Sequence, residues 1–276
     1  MKILIVGHKG MLGSALVEKC KGQELLLWDL PEIDISQEET VERIVAENPE
    51  FVINTAGYTD VDGCESNKKE AKMANSEGVI FLAEGCEKIN TPIIHFSTDY
   101  VFKGDKEDGY DENEKTDPIN TYGKTKADGE KNLKKNTEAF FLVRTSGLYG
   151  PNGKNFVDTM LEKAKTGEEI RVVNDQYLKF TYTYDLAESI IKLIDLQPEY
   201  GVYHMVNEGI LSWYEFAQKI FKQANLSPNL VSVSSSEFKS AAKRPAHSAL
   251  INKKFEPLRS LDEALADYIS KRKSSE

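Results

Sequence analysis

Three side chains between Ser97 and Lys126 have the types and spacing for proton chemistry: Thr98, Tyr122 and Lys126. The run Ser97-Thr98-Asp99-Tyr100-Val101-Phe102 follows Ile93-Ile94-His95-Phe96, which reads as a short buried strand. Ser97 and Thr98 then sit at the C-terminal end of a strand, the edge of an open parallel sheet where ligands bind. Beyond a polar loop comes Tyr122-Gly123-Lys124-Thr125-Lys126. Tyr122 and Lys126 are four apart at the start of a helical pattern, one turn from each other on one face. An ammonium beside a phenol favours the phenolate, which would let Tyr122 lose its proton near neutral pH. A strand-end hydroxyl could hold a carbonyl oxygen against that phenol, and the three groups would deliver a proton to a carbonyl being reduced. Alone, Tyr-x-x-x-Lys is a weak signal, because most such pairs are a tyrosine packed on a lysine stem. Its weight comes from the elements around it.

Those elements begin at the N-terminus. Residues 2–6 are an apolar, β-branched run of the kind buried on both faces of a parallel sheet. The run leads into Gly7-His8-Lys9-Gly10-Met11-Leu12-Gly13, and helical spacing continues from Ser14 to Cys20. Gly7 allows a tight turn, Gly10 lets a pyrophosphate approach the backbone, and Gly13 lets helix and strand pack closely. The helix N-terminus supplies N–H groups for phosphate. The competing reading is a strand-to-helix turn with no ligand. Leu25 to Trp28 is the next apolar run and ends at Asp29, whose carboxylate could accept from a ribose 2′-hydroxyl and repel a 2′-phosphate. No Arg or Lys follows nearby, so NADH is expected over NADPH. An adenine could rest on the Asp34-Ile35 corner, ahead of a helix that Ser36 and Glu39 would cap as a box. Asp34 reads equally as a simple turn residue.

Phe51 to Asn54 is a third strand, ending in Thr55-Ala56-Gly57-Tyr58-Thr59, small enough at Ala56 and Gly57 for a cofactor to pass the backbone. Asn67 to Lys88 reads as one long helix in which Asn75 either holds backbone or water near Lys126 or is partly exposed. Lys103 to Asp117 reads as a charged surface loop, a candidate flap. Thr121 to Lys135 is the helix of Tyr122 and Lys126, and Phe140 to Arg144 a fifth strand. These segments define an α/β fold, a Rossmann-type doubly wound parallel sheet over residues 1–150. From about 151 to 276, short strands at Ile170–Val173 and Val202–Val206 alternate with helices at Phe156–Lys165, Asp185–Leu196, Trp213–Ala224 and Leu261–Lys271. That part is expected as a smaller substrate-binding lobe, packed on the first without a clear linker.

Composition narrows the partners. With 45 acidic against 35 basic residues and a formal charge of −10, the surface argues against nucleic acid. The basic tail Lys271-Arg272-Lys273 reads as a solvated terminus. Three scattered cysteines suit a reducing cytoplasm, with Cys20 and Cys86 in helix cores and Cys64 a loop thiol. No stretch approaches transmembrane length. The four histidines form no metal constellation, and His95 reads as a satisfied core residue. There is no Gly-x-Ser-x-Gly elbow.

With these motifs assembled, the chain resembles the extended short-chain dehydrogenase/reductases, and within them the dTDP-4-dehydrorhamnose reductase family. The resemblance covers nearly the whole chain. It rests on Gly7 to Gly13, Val52 to Asp62, Ser97 to Phe102, Tyr122 to Lys126, Arg144 to Ser146, Asn155-Phe156, Asp175-Gln176, Ser212 to Tyr214 and Arg244 to Ser248. It implies Thr98, Tyr122 and Lys126 as catalytic residues, with Lys126 lowering the Tyr122 pKa and holding the nicotinamide ribose. It implies a cofactor lined by Gly7, Gly10, Met11, Leu12, Asp29, Asp34, Ile35, Ala56, Gly57, Tyr58 and Ser97. Val61, Thr98, Asp99, Tyr100 and Gly147 would face the sugar of a nucleotide-sugar substrate, and the reaction would be reduction of a 4-keto-6-deoxy sugar, completing dTDP-L-rhamnose.

Departures from the family pattern bear on that expectation. Gly147 stands where rhamnose-forming members often carry a tryptophan, which would widen the sugar pocket and leave another nucleotide sugar open. Leu178 and Phe180 replace a usual Gly and Pro in the loop from Asp175 to Thr181. Ala15 and Tyr184 occupy positions where some members hold a dimer-bridging magnesium through glutamates, so no such metal is expected and a homodimer would form another way. The family also resembles an NADP-binding regulatory subunit of methionine adenosyltransferase, but an intact Thr98, Tyr122 and Lys126 speaks for catalysis.

Overall fold

In the computed structural model, which describes residues 1–273, the apolar runs become a parallel sheet. The first half of the chain supplies β1 (Lys2–Val6), α1 (Met11–Lys19), β2 (Glu24–Trp28), α2 (Glu39–Glu47), β3 (Phe51–Asn54), α3 (Gly63–Ser66), α4 (Lys68–Lys72), α5 (Gly78–Lys88), β4 (Ile93–Thr98), α6 (Thr121–Asn136) and β5 (Phe140–Thr145). The second half adds β6 (Leu148–Tyr149), α7 (Phe156–Thr166), β7 (Ile170–Val173), β8 (Tyr177–Leu178), β9 (Thr181–Tyr182), α8 (Thr183–Leu196), β10 (Gly201–His204), β11 (Leu211–Ser212), α9 (Trp213–Ala224), β12 (Leu230–Val233) and α10 (Leu261–Lys273). The large sheet has six parallel strands in the order β10-β5-β4-β3-β1-β2. Its strand order reverses beside β1, which places a crevice at the C-terminal ends of β1 and β3.

Residues of β1, β3, β4 and β5 are buried on both faces, because helices cover both. On one side α1 and α8 bring Leu12, Leu16, Leu186, Ile190 and Leu193 onto the sheet. On the other, Ile44 of α2, Val79 and Leu82 of α5 and Leu133 of α6 do the same. The strand expected in the C-terminal lobe thus joins the main sheet as β10, hydrogen-bonded to β5, and α8 lies on α1. The lobe has its own aromatic core, in which Phe180 and Phe216 stack with centroids 3.9 Å apart and Trp213 meets Phe180 edge-on.

Several local expectations are corrected. The Asn67–Lys88 helix is interrupted by a π-helical turn, Met73–Glu77, and it is this turn that carries Asn75. A π-turn shifts the register by one residue and commonly marks a functional position. Ser36 does not cap α2; its N–H and hydroxyl bind Asp34 Oδ1, and the helix starts at Glu39. Cys64 is no loop thiol but a fully buried residue of α3, and burial pushes its thiol up to about 11. Lys271 and Arg272 are part of α10 rather than a solvated tail, and Arg272 pairs with Asp158 and Glu162. The Lys103–Asp117 loop is anchored at its centre. Tyr110 stacks on Phe102 at 4.3 Å, its hydroxyl receives the N–H groups of Gly104 and Asp105, and its own N–H reaches Ala249.

Candidate active site

The glycine turn is built as the spacing predicts. Gly7 has φ +80°, and a Cβ there would lie 2.7 Å from Ala56 N, so no other residue fits. A Cβ on Gly13 would fall 2.1 Å from Gly7 O, which is why α1 can press against the turn. Beside Gly10 only Gly7 O comes within 4 Å of a built Cβ, which leaves its outer side open. No side chain caps α1. An open glycine below an uncapped helix N-terminus, with Met11 and Leu12 as its first residues, fits a dinucleotide pyrophosphate.

Asp29 stands at the end of β2, half-buried, with Oδ2 accepting from Lys9 N and Oδ1 from Leu30 N, both at 2.8 Å. The same loop carries the Lys9 side chain to this corner, where Nζ lies 3.0 Å from Leu30 O and 2.9 Å from Glu32 Oε2. This cation reaches the corner from upstream of Asp29, where the lack of an Arg or Lys downstream gives no sign of it. Both partners of the Lys9–Glu32 pair are well exposed. A pair this exposed is screened by water and contributes little, so Lys9 can re-aim at little cost. Asp34 is exposed and keeps its hydrogen bonds to Ser36 and Gln37, which outweigh partial burial and hold its carboxyl below the usual range. The Ile35 side chain is not on a ligand surface. It is buried against Gly78, which leaves only its backbone for an adenine.

Asn75 resolves as a buried clamp. Its Oδ1 accepts from Tyr58 N at 2.8 Å, and its Nδ2 donates to Tyr58 O and Thr125 Oγ1. A Cβ built on Gly57 would lie 2.9 Å from Asn75 Oδ1 and 4.0 Å from Lys126 Nζ. Gly57, Asn75 and Lys126 therefore converge, and α6 is held to the β3 loop through Thr125.

Helix α6 starts where it must for Tyr122 and Lys126 to meet the end of β4. Asn120 caps it by accepting from Gly123 N, and Gly123 packs so tightly that a Cβ would meet Tyr100 O at 2.0 Å. Lys126 is buried and donates to Phe96 O at 2.6 Å. Burial lowers its pKa to about 8, against the pull of Glu130. The Tyr122 phenol lies near the Thr98 hydroxyl and meets Tyr100 edge-on, centroids 6.0 Å apart. The expected depression of its pKa by Lys126 is not found. Burial pushes Tyr122 above the usual phenol range, and the nearby Thr98 hydroxyl offsets this only in part. Tyr122 is thus a neutral acid at physiological pH, with its proton in place to give.

Two residues expected to face ligands are turned elsewhere. Ser97 is buried, and its hydroxyl donates to Glu130 Oε1 at 2.6 Å, away from the crevice. Asp99 is 2% exposed and accepts from Thr98 Oγ1 at 3.0 Å and from Ser248 Oγ. Val61 sits partly exposed just before α3. Gly147 has φ +53° and follows β5, which pairs Thr145 with Thr98. A Cβ on Gly147 would lie 2.8 Å from Phe180 Cδ1 and 3.0 Å from Lys179 O. The departure at Gly147 therefore does not open a gap beside its Cα, because Phe180, itself a departure, fills it.

The residues that sequence reasoning missed come from afar. Glu130 and Arg144, each 2% exposed, form a two-pronged pair beneath Ser97. Residues 240–251 cross over the site as a strap: Arg244 pairs with Asp62, Asn120 donates to Lys243 O, and His247 stacks on Tyr177. The buried acidic residue one turn after Lys126 was the available signal for Glu130. Among the described residues, no group of three or more His, Cys, Asp or Glu is gathered to hold a metal, and Tyr184 OH donates to Glu18. No helix there is long and apolar enough to cross a membrane.

A doubly wound sheet with a glycine-turn crevice and a Thr–Tyr–Lys group at its C-terminal edge defines an extended short-chain dehydrogenase/reductase. The family model described as RmlD substrate binding domain matches residues 1–273. A spore coat polysaccharide biosynthesis protein, SpsK, of Bacillus subtilis is 38% identical, with 99% of each chain covered. A dTDP-4-dehydrorhamnose reductase from Clostridium acetobutylicum superposes with TM-score 0.96 at 36% identity, covering 99% of this chain and 100% of that one. The dTDP-4-dehydrorhamnose reductase of Bacillus anthracis, solved in complex with NADP, gives 0.94 at 38% identity, covering 98% and 99%. The chain belongs to the dTDP-4-dehydrorhamnose reductase family and is an NAD(P)H-dependent oxidoreductase.

Proposed function

We propose that the chain reduces the C4 ketone of a nucleotide-linked 6-deoxy sugar, converting dTDP-4-dehydro-L-rhamnose to dTDP-L-rhamnose. What supports this reading is Tyr122 placed beside Thr98 at the open end of β4, Lys126 one turn on with its ammonium on Phe96 O, and a glycine turn shaped for a dinucleotide. Reduced nicotinamide, NADH or NADPH, supplies the hydride when bound. Gly7, Gly10, Met11 and Leu12 hold its pyrophosphate, Asp29 and Lys9 its adenosine ribose, and Ala56, Gly57 and Tyr58 the chain between. Tyr122 keeps its proton until negative charge grows on the C4 oxygen, then donates it. Lys126, an ammonium below about pH 8, offsets the phenolate left behind. Val61 and Tyr100 border the sugar.

A second reading, a different nucleotide sugar, is favoured by Gly147 and Phe180, since the filled Cβ position bars any side chain from position 147. Oxidation of NADH and of NADPH with dTDP-4-dehydro-L-rhamnose made in situ separates the two. The wild type is expected to turn over and Tyr122→Phe to lose on the order of 10²–10⁴-fold. Tight cofactor binding without turnover of this sugar would move the assignment to another nucleotide sugar. Inactivity with every nucleotide sugar would refute it.

A further inference from the structure

Thr98 has one hydroxyl hydrogen, and the structure commits it. Thr98 Oγ1 donates to Asp99 Oδ1 at 3.0 Å and accepts from Tyr100 N at 3.2 Å. An ionised carboxylate can only accept. While Asp99 is charged, Thr98 therefore has nothing to offer the oxygen of a bound carbonyl. Asp99 is itself buried, and its other oxygen receives the hydroxyl of Ser248, which the strap delivers from 149 residues away.

We propose that Asp99, held by Ser248, is a positioning residue that sets the direction of the Thr98 hydroxyl proton and so decides whether Thr98 can donate to the reacting oxygen. The proposal rests on the carbonyl-reductase reading above. In the productive form Asp99 carries a proton and donates it in a hydrogen bond to Thr98 Oγ1, and the Thr98 hydrogen turns toward the substrate oxygen. No covalent bond changes hands in this step; only the direction of two hydrogen bonds reverses. The surroundings of Asp99 suit both forms. Thr98, Ser248 and the N–H groups of Asp99 and Tyr100 favour the charged form, while burial favours the neutral one and dominates, raising the pKa to about 6. The titratable groups that face it are the Tyr100 and Tyr122 phenols, both kept neutral by burial. Arg244 faces Tyr100 and is engaged by Asp62.

Ser248→Ala removes a donor to the charged form and must raise the Asp99 pKa. Loss of one charge-assisted hydrogen bond corresponds to about one unit or more. In the wild type, kcat should fall as pH rises through about 6. In Ser248→Ala the fall should move up by about one unit or more, making the variant several-fold faster than wild type near neutrality. Asp99→Asn, whose amide donates at every pH, should flatten the profile. An infrared titration of the buried carboxylic acid reads the same shift without substrate, and its band should be absent in Asp99→Asn. Superimposable kcat profiles for wild type and Ser248→Ala, or an acid band that Ser248→Ala does not move, would overturn the proposal. Failure of the nucleotide-sugar reading shows differently, as absence of wild-type turnover, and the infrared titration then still decides.

Discussion

Glu130→Ala should be among the costliest single substitutions in the molecule. Its carboxylate accepts from Arg144 Nε at 2.9 Å and Arg144 Nη2 at 2.7 Å, and from Ser97 Oγ at 2.6 Å. Both members of the pair are 2% exposed. Removing Glu130 leaves the Arg144 guanidinium over the Phe102 ring at 5.0 Å and beside His204, which burial keeps neutral with a pKa of about 3. Neither Phe102 nor His204 carries a negative charge, and Glu112, which lines the same cavity, makes no hydrogen bond to Arg144. Breaking a buried pair from one side costs about 3–5 kcal/mol, because a charge stays behind unpaired. At about 2–4 °C per kcal/mol for a chain of this size, the melting temperature should drop by roughly 6–20 °C. Thermal and urea melts followed by circular dichroism measure this. Glu130→Leu combined with Arg144→Met, which removes both charges, should recover most of the loss. A single-variant loss under about 1 kcal/mol, or a double variant as unstable as the sum of its parts, would refute the argument.

Lys126 and Lys9 give two further expectations. Burial lowers the Lys126 pKa from 10.5 to about 8. Between those values the unfolded chain binds the proton and the folded one does not, so stability rises with pH across this window. The penalty of the buried charge is fully present below about pH 8. Lys126→Met should therefore abolish turnover yet be more stable than wild type at neutral pH, by on the order of 2–3 kcal/mol, with the gain shrinking toward pH 10. Urea melts at the two pH values test it, and a variant less stable at neutrality would contradict the sign. Lys9→Ala should weaken NADPH by roughly 10- to 100-fold relative to NADH, since a charge-assisted contact to phosphate is worth about 1.5–3 kcal/mol. An unchanged ratio of KM values would remove Lys9 from cofactor choice.

The parts of the molecule legible in sequence are those whose cause is local. Apolar runs and the glycine spacing gave β1, α1 and the crevice, and the four-residue step from Tyr122 to Lys126 put both on one face of α6. Where a competing contact lies far along the chain, local reasoning failed. Ile35 reads as an adenine shelf until Gly78, 43 residues on, receives it. Ser97 reads as a ligand residue until Glu130, one helix away, claims its proton. The Tyr122 pKa followed the same pattern: a charge four residues away suggested depression, while burial by the assembled fold raised it.

Order of synthesis adds a consequence for residues 240–251. A ribosome releases β1 to β5 first, and these strands already bring Thr98, Tyr122 and Lys126 together. The sheet gains β10 only later, and until residues 240–251 emerge Asp99 lacks Ser248, Asp62 lacks Arg244 and Asn120 lacks Lys243 O. A molecule lacking residues 240–251 would thus hold its reactive side chains in roughly the right places, with Asp99 free of Ser248 and shifted further toward its neutral form. The strap therefore tunes a site that the sheet has already built.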